Sequence, residues 1–341
     1  MRAHRISFPA PNRATLEEFE LADEPTGRQL LLQAEHSVIS AGTEGASFTG
    51  LELEHPGRHH SFDYPRPTTG YGHVGRVLAV GPDVERTQVG DRVLTLSPHA
   101  SFWLANEDRL TLKVDEALDG KQAVFTRMAG VGITAVRRSS VIAGDTVAVI
   151  GMGLVGNFAA QLFQLQGAEV LGLDISQPRL EQARACGIRR VANTGARDLA
   201  EIVNEWTAGL GAHCVVEAIG NSELIARGVQ CTRRLGEIIL LGSPRQRMTM
   251  EVTALLSRIH LQGISMLGAL EWIYSIPPNP ALKVSIFHNF ELIQGWIQAG
   301  RLQVDPLRTH VLSPAECQRA YDGLAREKDV YTGVVFDWSL L

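Results

Sequence analysis

The sequence predicts an α/β protein that combines a doubly wound parallel sheet with a second, largely β domain. Up to about residue 120, short β-type runs are broken by glycine and proline, which indicates a compact barrel or sandwich. From Thr146 to about Gly242, strand-like and helix-like segments alternate, as in a parallel sheet covered by helices. The length of 341 residues also exceeds what one hydrophobic core usually serves, so we expect two domains.

The β-rich region contains three strand candidates and one long irregular segment. The candidates are 30–34, 75–80 and 92–96, and turn sequences lie at Gly81-Pro82 and Gly90-Asp91. The segment 49–69 is polar and rich in proline, glycine and histidine, so we expect a surface loop.

A strand–turn–helix segment near the middle of the chain carries the clearest binding motif. The predicted strand Thr146–Ile150 leads into Gly151-Met152-Gly153-Leu154-Val155-Gly156 and then into a helix-like run at 158–165. A second strand, 169–173, ends on Asp174. This order is typical of a dinucleotide site, in which the first glycine allows the turn, the second admits the pyrophosphate and the third permits close helix packing. The carboxylate of Asp174 would accept hydrogen bonds from a ribose diol and repel a 2′-phosphate, which favours NAD.

Two later strand candidates, 214–219 and 237–241, also end near glycines. Ligands of open parallel sheets bind outside the carboxyl ends of the strands, although these glycines could equally close ordinary turns. The predicted dinucleotide-binding residues are therefore Gly151, Met152, Gly153, Leu154, Val155, Gly156, Asp174, Ile175, Arg179, Ala218, Gly220, Leu241 and Gly242.

The run 259–267 is predicted as the last strand of this sheet, and later elements are predicted at 290–298 (helix), 309–312 (strand), 314–325 (helix) and 330–338 (strand).

Composition limits the classes of partner. The formal net charge of −5 provides no basic field for nucleic acid or an anionic membrane, and no apolar run approaches the length of a membrane span. The N-terminus lacks the apolar segment of a signal peptide, and the four cysteines have no paired spacing. We therefore expect a cytoplasmic protein with reduced, mostly buried cysteines and a small-molecule substrate.

Three further segments resemble the medium-chain dehydrogenase/reductase family. They are Val38-Ile-Ser-Ala-Gly-Thr-Glu44, Gly70-Tyr-Gly-His-Val-Gly-Arg-Val77 and Val89-Gly-Asp-Arg-Val93. The resemblance implies a GroES-like β barrel formed by residues 1–126 and 268–341, and a Rossmann domain at 127–267. It also implies a homodimer that pairs through 259–267. The first two segments look like zinc-free relatives of the polyol and sugar dehydrogenase branch, among them bacteriochlorophyllide-type dehydrogenases.

The positions that resemble the family's catalytic zinc ligands lack suitable donors. They are occupied by Ala41, Tyr71, Gly72 and Thr126. Alanine and glycine have no donor atom, and tyrosine and threonine are poor zinc ligands, so we expect no metal. A replacement site built from His55, His59, His60, His73 and His99 is the alternative, but its spacing matches no recognised ligand set.

Without a metal, protein hydrogen-bond donors must polarise the substrate oxygen and move its proton. The catalytic candidates are Thr43, Tyr71, His73 and Arg127, while Glu44 is expected to organise the local hydrogen bonds. Tyr71 could alternatively only fill the volume of a lost metal. The predicted function is NAD-dependent hydride transfer on a secondary alcohol or ketone, such as a sugar, a cyclitol or a natural-product intermediate. A quinone or enoyl reductase and an inactive NAD-binding relative are the alternatives.

Overall fold

The structure is a computed structural model that describes residues 1–51, 63–245, 248–282 and 284–341. His55, His59 and His60, and with them most of the predicted loop at 49–69, lie outside the described residues. None of the helices within the described ranges has the length and apolar character that a bilayer crossing requires.

The strands of the described residues are numbered in chain order. They are β1 (Arg2–Ala10), β2 (Arg13–Glu20), β3 (Gln29–Val38), β4 (His73–Val80), β5 (Arg92–Thr95), β6 (Phe102–Asn106), β7 (Thr111–Lys113), β8 (Thr146–Ile150), β9 (Glu169–Asp174), β10 (Arg190–Asn193), β11 (Ala212–Glu217), β12 (Thr232–Leu240), β13 (Ser265–Gly268), β14 (Arg308–Leu312) and β15 (Gly333–Asp337).

The α-helices of the same ranges are numbered likewise. They are α1 (Ala41–Thr49), α2 (Gly120–Ala123), α3 (Thr126–Arg138), α4 (Leu154–Leu165), α5 (Gln177–Ala185), α6 (Leu199–Trp206), α7 (Ser222–Cys231), α8 (Val252–Gln262), α9 (Ile286–Gln298) and α10 (Cys317–Arg326). Short 3₁₀ turns lie at Glu271–Ile273, Asp305–Leu307, Pro314–Glu316 and Trp338–Leu340.

The chain divides into two compact units. The β unit comprises Met1–Met128, Tyr274–Gly300 and Arg308–Leu341, and the dinucleotide unit comprises Ala129–Ile273 and Arg301–Leu307. The second boundary therefore falls six residues later than the predicted one after residue 267, and Arg301–Leu307 belongs to the dinucleotide unit. Hydrogen bonds hold the segment Arg301–Leu307 to this unit. The Gln161 side chain donates to the backbone carbonyl of Gln303 (3.0 Å) and accepts from the backbone N–H of Gln303 (2.7 Å).

The dinucleotide unit is built on one parallel sheet of six strands in the order β10-β9-β8-β11-β12-β13. Numbered from β8, this is the 3-2-1-4-5-6 order of a doubly wound nucleotide-binding fold. Alternate residues of β8 face opposite sides, so that Val147 and Val149 pack into one core cluster and Ala148 and Ile150 into another. Burial on both faces explains why this strand is a continuous apolar run in the sequence.

The predicted strand at 259–267 is wrong in its first half. Helix α8 continues to Gln262 and ends at Gly263, whose left-handed φ of 63° closes the helix, and β13 begins at Ser265. The Glu251 side chain accepts hydrogen bonds from the first backbone N–H groups of this helix. The apolar–polar alternation of 259–267 is typical of a strand, but the helix start and stop signals on either side take precedence.

The β unit contains a seven-stranded sheet in the order β14-β15-β3-β4-β5-β7, in which β6 also pairs with β3. Strands β1 and β2 form a separate antiparallel pair. The predicted strands at 30–34 and 75–80 are confirmed within β3 and β4, and the one at 92–96 is confirmed as β5, which ends one residue earlier at Thr95. The C-terminal strand β15 pairs with β3, and Val335 lies opposite Val38, shortly before α1, where the candidate site of this unit lies. The fold class predicted from the sequence is confirmed.

Candidate functional site

The turn between β8 and α4 requires each of its three glycines for a different reason. Gly151 has a left-handed φ of 96°. A Cβ on Gly156 would lie 1.9 Å from the Gly151 carbonyl oxygen, so the helix can pack against the turn only if Gly156 has no side chain. A Cβ on Gly153 would meet only the tip of Arg179, at 3.8 Å. The space over Gly153 is therefore open beside the N-terminus of α4, where backbone N–H groups attract phosphate.

Asp174 ends the second strand with its carboxylate fixed by backbone donors. The N–H of Met152 donates to Oδ2 (2.7 Å) and the N–H of Ser176 donates to Oδ1 (2.9 Å). Nη1 of Arg179 lies 4.0 Å from Oδ2. A carboxylate has about four acceptor positions, so capacity for a diol remains.

Among the other predicted dinucleotide-binding residues, the side chains of Met152 and Leu154 are buried. These two residues can contact a ligand only through their backbone. The Ile175 side chain, by contrast, is 73% exposed.

A buried glutamate that the sequence analysis missed organises the next two loops. The carboxylate of Glu217 accepts from the backbone N–H groups of Ile219 and Gly220, at 2.9 and 3.0 Å. The backbone carbonyl of Glu217 accepts from the backbone N–H groups of Leu241 (2.9 Å) and Gly242 (2.8 Å). These bonds hold the ends of β11 and β12 together. Burial raises the pKa of Glu217. An acid in the last position of an apolar strand, just before Ala-Ile-Gly, is the signal that could have identified it.

Gly220 and Gly242 are needed because these two loops approach closely. A Cβ on Gly220 would lie 2.1 Å from the Ser243 carbonyl oxygen, and one on Gly242 would lie 2.1 Å from the Gly220 nitrogen. Gly220 also has a left-handed φ of 83°. Close approach of the two loops therefore explains these glycines better than ordinary turn closure does.

In the β unit, the N-terminus of α1 lies against the strand-entry segment that carries Tyr71. Ser40 is the residue before the helix, and its Oγ lies 2.5 Å from the Tyr71 hydroxyl oxygen. Thr43, in the first turn of the helix, has an exposed side chain, whereas Tyr71 is half-buried. The structure thus brings the Tyr71 phenol to the start of the helix whose first turn carries Thr43.

Arg127 packs behind Tyr71. Its side chain is only 1% exposed, and its guanidinium carbon lies 4.5 Å from the centroid of the Tyr71 ring and 5.7 Å from that of Phe290. Gly72 makes room for it, since a Cβ there would lie 2.8 Å from Cγ of Arg127. A desolvated guanidinium on an aromatic face contributes about 2 kcal/mol. Phe290, on α9, could not be associated with this site from the sequence.

Glu44 is the centre of a buried hydrogen-bond network, as predicted. One carboxylate oxygen accepts from the backbone N–H of Ser40 (2.7 Å), and the other lies 3.0 Å from Nε2 of His99 and accepts from the Tyr321 hydroxyl (2.5 Å). Nδ1 of His99 is 2.7 Å from the hydroxyl of Ser37. Burial and the Glu44 carboxylate both raise the pKa of Tyr321, so its phenol stays protonated and donates.

Comparisons with known proteins find similar dehydrogenases. The family model described as "Zinc-binding dehydrogenase" matches residues 155–277. The erythritol/L-threitol dehydrogenase of Mycolicibacterium smegmatis is 26% identical over 236 residues, which are 67% of this chain and 59% of that protein. The D-arabitol-phosphate dehydrogenase of Enterococcus avium is 24% identical over 311 residues, 80% of this chain and 84% of that protein. Galactitol-1-phosphate dehydrogenase from Escherichia coli shares the fold, with a TM-score of 0.83, 17% identity and coverage of 98% and 99% of the two chains.

These comparisons support the resemblance of the chain to the medium-chain dehydrogenase/reductase family. Its alcohol and polyol dehydrogenase members are the relatives that it resembles most consistently in these comparisons. The residues around Tyr71 are of interest because the sequence predicts that Ala41, Tyr71, Gly72 and Thr126 stand where related dehydrogenases carry catalytic zinc ligands.

The donors that zinc needs do not converge at these positions. Ala41 and Gly72 have no donor atoms, Tyr71 is engaged with Ser40, and the Thr126 side chain is fully buried. Within the described ranges, no three or more His, Cys, Asp or Glu side chains are placed to hold a metal ion. The residues present therefore do not fit a zinc centre of the usual kind.

His73 lies in the interior of the β unit. Its side chain is 0% exposed within β4, and burial together with the neighbouring His99 lowers its pKa to about 3. A ring that is neutral and shut off from solvent is poorly suited to accept a substrate proton. We therefore interpret His73 as a core residue of the barrel and retain Thr43, Tyr71 and Arg127 as the site residues of this unit.

Proposed function

We propose that the protein is a zinc-independent, NAD-dependent oxidoreductase that transfers a hydride between a secondary alcohol or ketone and nicotinamide. The observation that carries this proposal is the packing of the buried Arg127 guanidinium on Tyr71, which by sequence stands at a position that resembles a zinc ligand in the family. A fixed positive charge and a phenol thus replace a Lewis acid. The named activities of the relatives support a polyol-like substrate, such as a sugar or a cyclitol.

In this proposal Tyr71, Arg127 and Thr43 of the β unit each have a separate role at the substrate oxygen. Bound nicotinamide would supply or accept the hydride. The hydroxyl of Tyr71 donates a hydrogen bond, and in the reducing direction a proton, to the substrate oxygen, where negative charge develops. The charge of Arg127, behind the ring, favours that negative charge without contacting the substrate. The exposed hydroxyl of Thr43 supplies a second hydrogen bond.

The dinucleotide unit favours NAD over NADP in this proposal. The carboxylate of Asp174 is already positioned by two backbone N–H groups and has acceptor capacity left for a ribose diol. A 2′-phosphate would bring two further negative charges to a carboxylate that is only 6% exposed. The proximity of Arg179 to Asp174 offsets part of that repulsion but also engages the guanidinium.

The test combines metal analysis with cofactor titration. Protein purified without chelator is analysed for zinc, titrated with NADH and NADPH by fluorescence, and assayed with NAD on a panel of polyols, cyclitols and ketones. We expect no stoichiometric zinc, NADH binding at least about tenfold tighter than NADPH binding, and activity that survives chelator treatment. The control variant Asp174→Ala should lose the preference for NADH. Stoichiometric zinc, or a preference for NADPH together with quinone reduction, would contradict the proposal.

We also propose a homodimer that pairs through the edge strand β13. This strand ends the six-stranded sheet, and apolar side chains are exposed along it and the preceding helix, namely Leu256, Leu261 and Met266. An unpaired edge flanked by apolar side chains favours pairing with a second copy. Light scattering should give twice the chain mass for the wild type and for the control Leu210→Lys, which alters an exposed apolar residue elsewhere in the unit. Met266→Lys should give the monomer mass, and a monomeric wild type would refute the proposal.

A further inference from the structure

Ser40 occupies the position before a helix but does not perform the usual function of that position. A serine there normally accepts a hydrogen bond from a backbone N–H of the first turn, which stabilises the helix by about 1 kcal/mol. The Ser40 side chain makes no such bond, and its hydroxyl instead lies 2.5 Å from that of Tyr71. The helix therefore forgoes a common source of stability, and the serine hydroxyl is directed to the proposed catalytic phenol.

The backbone of Ser40 is held by the carboxylate of Glu44. Glu44 Oε1 accepts the Ser40 N–H at 2.7 Å, while Oε2 is shared between His99 and Tyr321. A bond from inside the helix to the residue that precedes it fixes the direction in which the chain enters the helix. The carboxylate cannot turn away without breaking its bonds to two buried side chains.

The network continues across the barrel to the C-terminal end of the chain. The indole N–H of Trp338 donates to Oγ of Ser37 (3.0 Å), and Ser37 is hydrogen-bonded to Nδ1 of His99. An indole N–H can only donate, so the hydroxyl proton of Ser37 is free to point to His99. In the neutral ring the His99 proton then lies on Nε2, facing Glu44. Gly70 admits the ring, because a Cβ there would lie 2.5 Å from Cδ2 of His99.

From this arrangement we infer that Ser40 is a positioning residue for Tyr71, and that the buried Glu44–His99–Tyr321 network holds Ser40 in place. The inference rests on the proposed function for its consequence in catalysis. The hydroxyl of Ser40 restricts the Tyr71 phenol to one orientation and occupies one of its hydrogen-bonding positions. The remaining positions are left for the substrate oxygen. Loss of Ser40 should therefore lower kcat while KM changes little.

The experiment measures kcat, KM and the ¹³C resonance of Tyr71 in protein labelled at tyrosine Cζ, assigned with Tyr71→Phe. We expect Ser40→Ala to lower kcat about tenfold, as loss of one hydrogen bond would, and to shift the Tyr71 resonance in protein without cofactor. Ser40→Thr, which retains the hydroxyl, should restore both. Glu44→Gln, which weakens the hold on the Ser40 N–H, should also lower kcat and shift the resonance.

The matched control is Ser47→Ala, because Ser47 is a buried serine of the same helix and lies outside the network described above. It should leave kcat and the Tyr71 resonance unchanged. If Ser40→Ala behaves like this control in both measurements, the inference is overturned. If the wild type shows no NAD-linked activity but Ser40→Ala still shifts the resonance, the proposed function fails while the positioning of Tyr71 stands.

Discussion

Replacing Tyr71 by phenylalanine is expected to lower kcat by about 10²–10³-fold, the loss observed when one donor to a developing oxyanion is removed. The substitution deletes only the hydroxyl. The ring that packs on Arg127 and the volume it fills are kept, so the melting temperature and the affinity for NADH should change little. Steady-state kinetics and fluorescence titration of the same preparation measure both quantities.

This prediction separates catalysis by Tyr71 from the alternative that it fills space left by a lost metal. A space-filling ring would leave kcat unchanged in Tyr71→Phe and would be sensitive only to Tyr71→Ala. Thr43→Val is the companion variant, because the Thr43 side chain is exposed at the start of α1 and its removal should lower kcat without loss of stability. Unchanged kcat in both Tyr71→Phe and Thr43→Val would exclude this pair as the catalytic groups.

Gly156→Ala is expected to lower the stability of the protein, whereas Gly153→Ala is expected to lower its affinity for the dinucleotide. At Gly156 the new Cβ would lie 1.9 Å from a backbone oxygen, and a backbone clash cannot be relieved by rotating a side chain. We expect a loss of about 3 kcal/mol in the free energy of unfolding, seen as a fall of about 10 °C in the melting temperature. At Gly153 the nearest atom is the flexible tip of Arg179, 3.8 Å away, so stability should be retained.

The Gly153→Ala variant should instead lose dinucleotide affinity, by roughly tenfold or more, because the methyl group occupies the open space beside the helix N-terminus where the pyrophosphate is expected. Calorimetric melting and NADH titration of both variants give the comparison. Gly295→Ala is the control, since a Cβ at that position in α9 meets nothing within 4 Å. A stable Gly156→Ala, or a Gly153→Ala that binds NADH normally, would show that the turn does not act as described.

The dinucleotide fold could be predicted because its determinants are local. Strand β8 is buried on both faces, so its residues form one apolar run, and the glycines that follow are dictated by a turn within six residues of chain. The strand predicted at 259–267 is wrong in its first half although its apolar–polar alternation is also a local pattern. Glu251 caps the start of α8 and Gly263 ends it, and these helix signals outweigh the alternation.

The catalytic candidates were predicted from residue type and position, but which of their side chains are buried could not be predicted in this way. His73 lies two residues after Tyr71 and is a catalytic candidate by sequence, yet Tyr71 precedes β4 whereas His73 begins that strand with a fully buried side chain. The position of Glu217 at the end of an apolar strand is a local signal, but the N–H groups that its carboxylate holds after β11 are known only from the folded turn. Phe290 reaches Arg127 from a helix more than 150 residues away in sequence.

By itself, the sequence determined the fold class and the glycine turn with its terminal Asp174, and it predicted that Ala41, Tyr71, Gly72 and Thr126 offer no usual zinc donor set. Each of these depends on the identity of a residue and its near neighbours. The tertiary structure decided which polar groups meet: the guanidinium of Arg127 on the Tyr71 ring, and the hydroxyl of Ser40 on its phenol. These contacts join distant segments, and hydrogen bonds and ring packing act over only a few ångströms, so folding alone brings such groups within reach of one another.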